Sequence, residues 1–172
     1  MITLGIDPGL TGSIATIDAH GVLIRVDAIP VMPIPEAGPN TTIKTEVDVR
    51  ALWKLLREIV PAGEVALVAM EHASSVGARL GDQAKASLAA TKASIMAVVR
   101  LQGHDVRRVH PVTWKRFYGI KEPKKGSGQP DGKKQALSQA RVFYGMSAFP
   151  LAKDHNRAEA ALIARWAQRN LA

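Results

Sequence analysis

The stretch LGIDPGLTGSIATID, residues 4–18, decides the predicted fold. It begins as a buried strand, which the acidic Asp7 interrupts, and Pro8 and two glycines follow directly. The turn signals DPG and DAHG separate three predicted strands, which are Ile2–Ile6, Gly12–Ile17 and Val22–Ala28. Because such short turns join neighbouring strands, the stretch predicts an antiparallel meander.

The rest of the chain predicts alternating helices and strands. Four prolines in residues 30–40 predict an exposed loop. Apolar residues at helical spacing from Val49 to Val60 then predict a helix, with Thr45 and Asp48 as a capping pair. The further predicted elements are an apolar strand Val65–Met70 covered on both faces, a helix Asp82–Leu101, a short strand in residues 104–111, and helices Val112–Phe117, Lys133–Tyr144 and Asn156–Leu171.

A meander followed by helix, strand, helix and strand predicts an α/β fold. The expected sheet is mixed and five-stranded, with an antiparallel three-strand meander plus two parallel strands, and helices flank it. The length of 172 residues predicts one domain over residues 1–172, with a basic flexible loop at about residues 119–132.

Composition favours a nucleic-acid partner in a reducing compartment. The chain has no cysteine, a net charge of +8 and a pI near 10. Eight Lys/Arg against two acidic residues lie between Lys115 and Arg141, and this segment predicts a clamp on backbone phosphates. The alternatives are a solvated loop and charge that serves solubility only. No apolar run or leader is visible, so a cytoplasmic protein without a membrane partner is expected.

Two carboxylates lie at the ends of apolar strands, where burial of a charged side chain is unfavourable. Asp7 and Glu71 each end a predicted strand, and an unpaired carboxylate there is costly. A divalent cation with a preference for hard oxygen ligands, Mg²⁺ or Mn²⁺, would neutralise them. The alternative is that each carboxylate caps a turn or a helix.

A further polar cluster lies in DHNRAEAALIA, residues 154–164. His155 and Glu159 are four residues apart and share a helix face if the helix has begun. The small residues around Glu159 would let this helix lie close against the sheet. The alternative is that Asp154 and Glu159 only stabilise the start of the helix.

Four motifs together resemble the RuvC-like Holliday-junction resolvases of the RNase H superfamily, most closely the phage and organellar branch. They are GIDPGLTGSIA, VAMEHAS, HPVTWK and DHNRAEAALIA, and they occur in the family's order. The resemblance implies a metal-dependent nuclease that resolves four-way DNA junctions by paired symmetric nicks, with two Mg²⁺ ions per active site (Mn²⁺ substituting).

The resemblance also implies the site residues. The family's acidic positions fall on Asp7, Glu71 and Glu159, with Asp154 as a further metal ligand and His155 as a ligand or proton-transfer group. Asn156, three residues before Glu159, is a poor metal ligand. The two ions would lie about 4 Å apart with Asp7 as their bridge.

The junction itself would contact basic residues, and a C₂ homodimer would place two sites on its related strands. The Ala-rich residues 85–99 are the candidate dimer surface, with core packing as the alternative. Trp114 is predicted to stack on bases, with burial in the core as the alternative. The predicted phosphate contacts are Arg79, Lys92, Lys115, Arg116, Lys121, Lys124, Lys125, Lys133 and Lys134.

Three other functions compete with the resolvase. The GIDxG motif also opens actin-like ATPases and sugar kinases, but this chain has room for one copy of a fold that those proteins duplicate. Another RNase H-superfamily nuclease, acting on branched DNA or on RNA–DNA hybrids, shares the same motifs. A catalytically inactive junction-binding protein is the third.

Overall fold

The computed structural model describes residues 1–35, 38, 43–72, 81–121 and 130–172. Its strands are β1 (Ile2–Asp7), β2 (Ser13–Ile17), β3 (Leu23–Ala28), β4 (Val31–Pro33), β5 (Thr45–Val47), β6 (Ala66–Glu71) and β7 (Val106–Val109). Its helices are α1 (Val49–Ile59), α2 (Asp82–Leu101), α3 (Pro111–Phe117), α4 (Gly132–Tyr144) and α5 (His155–Leu171).

The main sheet has the predicted mixed topology. Its five strands lie in the order β3-β2-β1-β6-β7. The meander β1–β2–β3 pairs antiparallel, whereas β1 pairs parallel with β6 and β6 pairs parallel with β7. The predicted fold class is therefore confirmed.

Each face of the sheet carries its own apolar core. Leu4, Ile6, Val68 and Met70 belong to the core on the side of α1 and α2. The opposite face belongs to the core that α3, α4 and α5 cover, and it includes Ala69. Both faces of β6 are thus covered, as its apolar sequence predicts.

The proline-rich segment differs from its prediction. Val31–Pro33 forms β4, which pairs antiparallel with β5 in a separate two-stranded sheet, where an exposed loop is predicted. Proline is tolerated there because it stands at the end of a strand, where no ladder hydrogen bond from its nitrogen is needed. The predicted capping pair is also wrong, because Thr45 lies in β5. Asp48 caps α1 alone, and its Oδ1 accepts from the backbone N–H of Arg50 and Ala51.

The predicted basic loop at residues 119–132 falls largely on residues 122–129, which lie outside the described part of the chain. Within the described ranges, none of the helices is both long and apolar enough to cross a lipid bilayer.

Candidate active site

Strand alternation places Asp7 and Glu71 on the same face of the sheet. Gly5 of β1 is paired with Ala69 of β6, and the two carboxylates lie two residues further along their strands. Side chains two residues apart in a strand point to the same face. Ala69 belongs to the core beneath α5, so both carboxylates point to the α5 side of the sheet.

Gly5 lets α5 approach this face closely. A Cβ atom at Gly5 would overlap the backbone oxygen of Ala160 and the backbone nitrogen of Ala164. A strand glycine often marks such an approach of another backbone. The small residues of α5 therefore let the helix lie close against the sheet, as the sequence predicts. Glu159, next to Ala160, is buried near Asp7 and Glu71.

The three carboxylates form an electrostatically strained group, called here the acidic trio (Asp7, Glu71 and Glu159). Burial, followed by the charges of Glu159 and Glu71, raises the pKa of Asp7 to about 7. The pKa of Glu71 is also raised, mainly by burial, while a hydrogen bond from Trp114 and the charge of Lys115 oppose the rise. Negative charge at this place requires a neutralising partner.

Lysines supply part of this neutralisation. Lys115 Nζ lies 3.3 Å from Glu159 Oε1, and both side chains are largely buried. Among the described residues that oxygen has no hydrogen-bond partner, so the contact is one of charge without hydrogen-bond geometry. The charges of Lys133 and Lys115 lower the pKa of Asp7, and the charge of Lys92 lowers that of Glu71.

The chemistry of the trio fits a hard divalent cation. Its donors are carboxylate oxygens, one of them buried without a hydrogen bond, and burial with mutual repulsion disfavours the charged state that a cation would restore. Within the described residues, no three acidic or histidine side chains stand close enough to hold a metal ion as they are. A cation bound by all three carboxylates would therefore need them closer together than they stand here.

Trp114 occupies a different position from the predicted base-stacking one. Its side chain is fully buried, so it has no face to offer a DNA base. Its Nε1 donates to Glu71 Oε2 at 2.8 Å. The alternative from the sequence, a core tryptophan, is the correct one, and the indole also orients a member of the acidic trio.

We expect Trp114→Phe to destabilise the protein by about 1.5–3 kcal/mol, because the partly buried Glu71 carboxylate loses its donor. The hydrogen bond lowers the pKa of Glu71, so its loss raises that pKa further. The cost should therefore grow as the pH rises and Glu71 ionises. Urea unfolding at pH 5 and pH 8 measures both effects.

The matched control is Trp53→Phe. The Trp53 side chain is 44% exposed, so its replacement should change stability by less than about 0.5 kcal/mol at both pH values. Equal effects of the two substitutions would contradict the role given to Trp114.

The structure does not bring Asp154 into the acidic trio. Its Oδ2 accepts from the backbone N–H of Leu151 at 2.8 Å, and its Oδ1 lies 3.8 Å from Arg157 Nε. Its charge is not among those that shift the pKa of Asp7. Asp154 is predicted to face a metal beside Asp7. In the structure its carboxylate instead contacts the backbone N–H of Leu151 and the side chain of Arg157 at the start of α5.

The neighbours of Asp154 also differ in position from Glu159. His155 is the first residue of α5 and lines a cleft outside the acidic trio. The Nδ2 of Asn156 donates to the backbone oxygen of Thr11 at 2.8 Å. Asn156 thus ties the start of α5 to the turn that follows Asp7.

The predicted phosphate contacts divide into four groups. Lys115, Arg116 and Lys121 line a groove of about 460 Å³ along α3. Lys133 and Lys134 are exposed at the start of α4, and Lys92 is buried in α2. Arg79, Lys124 and Lys125 lie outside the described residues.

Sequence reasoning missed three contributors to the site. Gly5 admits α5, Asn156 holds the β1–β2 turn, and the Trp114 indole fixes Glu71. A glycine in the middle of an apolar strand is a signal that could have identified Gly5. The other two contacts join residues far apart in the chain and leave no local pattern.

The main sheet has the strand order β3-β2-β1-β6-β7, and helices cover both of its faces. This architecture is the RuvC-like form of the RNase H-like fold. The structure resembles that of Thermus thermophilus RuvC in complex with a Holliday junction substrate, with a TM-score of 0.65 and 16% identity over 100% of this chain and 98% of that one. A second structure of Thermus thermophilus RuvC gives a TM-score of 0.62 at 16% identity, over 96% of this chain and 92% of that one.

At this level of identity the similarity establishes the fold. No protein-family model and no curated protein matches the sequence.

Proposed function

We propose that the protein is a metal-dependent, structure-specific endodeoxyribonuclease that resolves four-way DNA junctions by paired, symmetric nicks. The observation that carries the proposal is the acidic trio, gathered on the α5 face of a RuvC-like fold. Its basic surroundings support the proposal, because a phosphodiester substrate is an anion.

The proposed ligands of the metal are Asp7, Glu71 and Glu159. Bound Mg²⁺, with two ions per site and Mn²⁺ as a substitute, would acidify a water and stabilise charge on the leaving oxygen. The protein holds Glu71 in place through Trp114 and keeps water away from the buried oxygen of Glu159. Lys115 stands beside the trio, and its proposed role is to contact the phosphate.

The proposed substrate contacts are the groove along α3 and the start of α4. If the seven lysines and arginines predicted between Lys115 and Lys134 engage phosphates, affinity should fall with salt at a log–log slope of roughly −6. The proposed assembly is a C₂ homodimer in the cytoplasm. The alanines Ala86, Ala89, Ala93 and Ala97, exposed along α2, support that helix as the dimer surface.

The test is cleavage of a synthetic four-way junction with Mg²⁺ or Mn²⁺, beside linear duplex and an RNA–DNA hybrid of matched sequence. We expect paired nicks on the junction at symmetry-related positions, and none on the duplex. Cleavage of the hybrid alone would assign another nuclease of this fold. Junction binding without cleavage in either metal would assign an inactive binding protein, and ATP hydrolysis would support the kinase-like alternative.

A further inference from the structure

A cleft of about 470 Å³ lies beside the acidic trio at the start of α5. We call it the α5 cleft; one wall is the end of the β1–β2 turn (Thr11 and Gly12) with Ser13 of β2 and Ala28 of β3, and the other is Lys153–Arg157. Its volume is that of a small-molecule site and suits one nucleotide. Predictions from the sequence assign no DNA contact here.

The α5 cleft adjoins the acidic trio at two points. Ser13, which lines the cleft, is the direct cross-strand partner of Asp7. Such partners have Cβ atoms about 5 Å apart and share a face of the sheet. His155 precedes Glu159 by four residues on α5, which places it one helical turn away.

The cleft presents hydrogen-bond donors that the described part of the protein leaves available. Within those residues, the side chains of Lys153 and His155 form no ion pair or hydrogen bond. Arg157 contacts Asp154 only at 3.8 Å, through Nε. Asp154 is the only acidic residue among the cleft's described lining, and its Oδ2 already accepts from Leu151. The free donors therefore favour an anionic ligand.

The position of these donors completes a path across the site. Along the strand order β3-β2-β1-β6-β7, the α5 cleft lies at the ends of β2 and β3, and Asp7 and Glu71 of the acidic trio lie at the ends of β1 and β6. Trp114 of α3 contacts Glu71, so the groove with Lys115 and Lys121 lies on the far side of the trio. A nucleic-acid strand crossing the trio would meet cations on both sides.

We propose that the α5 cleft binds the nucleotide adjacent to the scissile phosphate, and that Lys153, His155 and Arg157 contact its phosphodiester. This inference rests on the proposed function, since it names a substrate subsite of the same centre. Apolar parts of the wall, such as Ala28 and the Cα of Gly12, leave room for the sugar or the base.

The experiment compares Lys153→Gln and Arg157→Gln with wild type for binding to a four-way junction in EDTA, across a series of salt concentrations. We expect each substitution to weaken binding several-fold and to make the log–log salt slope shallower by about 1. Lys54→Gln is the matched control. Lys54 is exposed on α1, on the opposite face of the sheet, and its replacement should leave the slope unchanged.

A second measurement locates the contacted phosphate. One phosphodiester next to the mapped cut is replaced by a neutral methylphosphonate, on each side of the cut in turn. On one side, the replacement should weaken binding by wild type and by Lys54→Gln, and weaken it less for Lys153→Gln and for Arg157→Gln, because each substitution has already removed one of the contacts to that phosphodiester.

The inference is overturned if Lys153→Gln and Arg157→Gln keep the wild-type slope and the full methylphosphonate penalty on both sides. That outcome leaves wild-type junction cleavage intact, so it differs from failure of the proposed function. The latter would appear in wild type as no cleavage of the junction in Mg²⁺ or Mn²⁺.

Discussion

Asp7→Asn is expected to lower junction cleavage by at least about a thousandfold, equivalent to about 4 kcal/mol of barrier. The negative charges of Glu159 and Glu71 both act on Asp7. An amide keeps the shape of the side chain but supplies no negative charge to hold a divalent cation. Single-turnover cleavage of the junction in Mg²⁺ measures the loss.

Junction binding by Asp7→Asn should be retained or strengthened, because one negative charge facing the phosphates is gone. The control is Asp105→Asn, an exposed acidic residue before β7 that should cut at the wild-type rate. Cleavage by Asp7→Asn within tenfold of wild type would remove Asp7 from the proposed centre.

The same substitution should stabilise the metal-free protein at alkaline pH. The pKa of Asp7 is about 7 when folded, against an ordinary value of 3.8, so the folded state binds more protons than the unfolded state between these values. Stability in EDTA should therefore fall as the pH rises from about 4 to 7, and level off above that. Over this pH range the free energy of unfolding should fall by up to about 4 kcal/mol.

Asn cannot ionise, so Asp7→Asn should show a flatter pH profile and a higher melting temperature than wild type at pH 8 in EDTA. Saturating Mg²⁺ should raise the melting temperature of the wild-type protein and leave that of Asp7→Asn unchanged, because a ligand stabilises only a folded state that binds it. If the stability of the wild-type protein in EDTA does not change between pH 4 and 7, the raised pKa of Asp7 is contradicted.

Gly5→Ala is the second large expected effect. The added Cβ would overlap backbone atoms of α5 at Ala160 and Ala164, including Ala164 Cα at 2.8 Å. Backbone of a packed helix cannot move aside as a flexible side chain can, so the cost should be at least about 3 kcal/mol. Urea unfolding measures it, and α5 should shift away from β1 and take Glu159 with it.

Gly81→Ala is the matched control for Gly5→Ala. Gly81 precedes α2, and within the described part of the chain a Cβ there meets no atom within 4 Å. Its replacement should cost less than about 1 kcal/mol. If Gly5→Ala does not fold, circular dichroism of the soluble fraction still separates the two variants. A Gly5→Ala protein as stable as Gly81→Ala would contradict the close approach of α5.

Most of the fold was predictable because its signals are local. Short turns after Asp7 and Asp18 specify a meander, and helical spacing specifies α1 and α2 to within a residue or two. The exception is β4, where the prolines of residues 30–40 mask a short ribbon. The two strands of this small sheet pair Val31 with Val47. Because the paired residues are far apart in the chain, no local pattern predicts the pairing.

The candidate site was predictable where a residue contradicts its local surroundings. Asp7 and Glu71 end apolar strands, and that conflict alone marks them as candidates. Asp154 and Trp114 lack such a conflict, and their predicted roles came from family resemblance and from composition. The structure places the first in a hydrogen-bonded helix start and the second in the core.

The sequence by itself determined the mixed sheet and the two strand carboxylates, because periodicity and buried charge are properties of neighbouring residues. Only the tertiary structure decided which groups meet. Gly5 admits α5 and so brings Glu159 to Asp7, Trp114 turns its indole to Glu71, and Asn156 ties α5 to Thr11. These contacts join residues 43 to 152 positions apart, and they form only when the helices pack on the sheet.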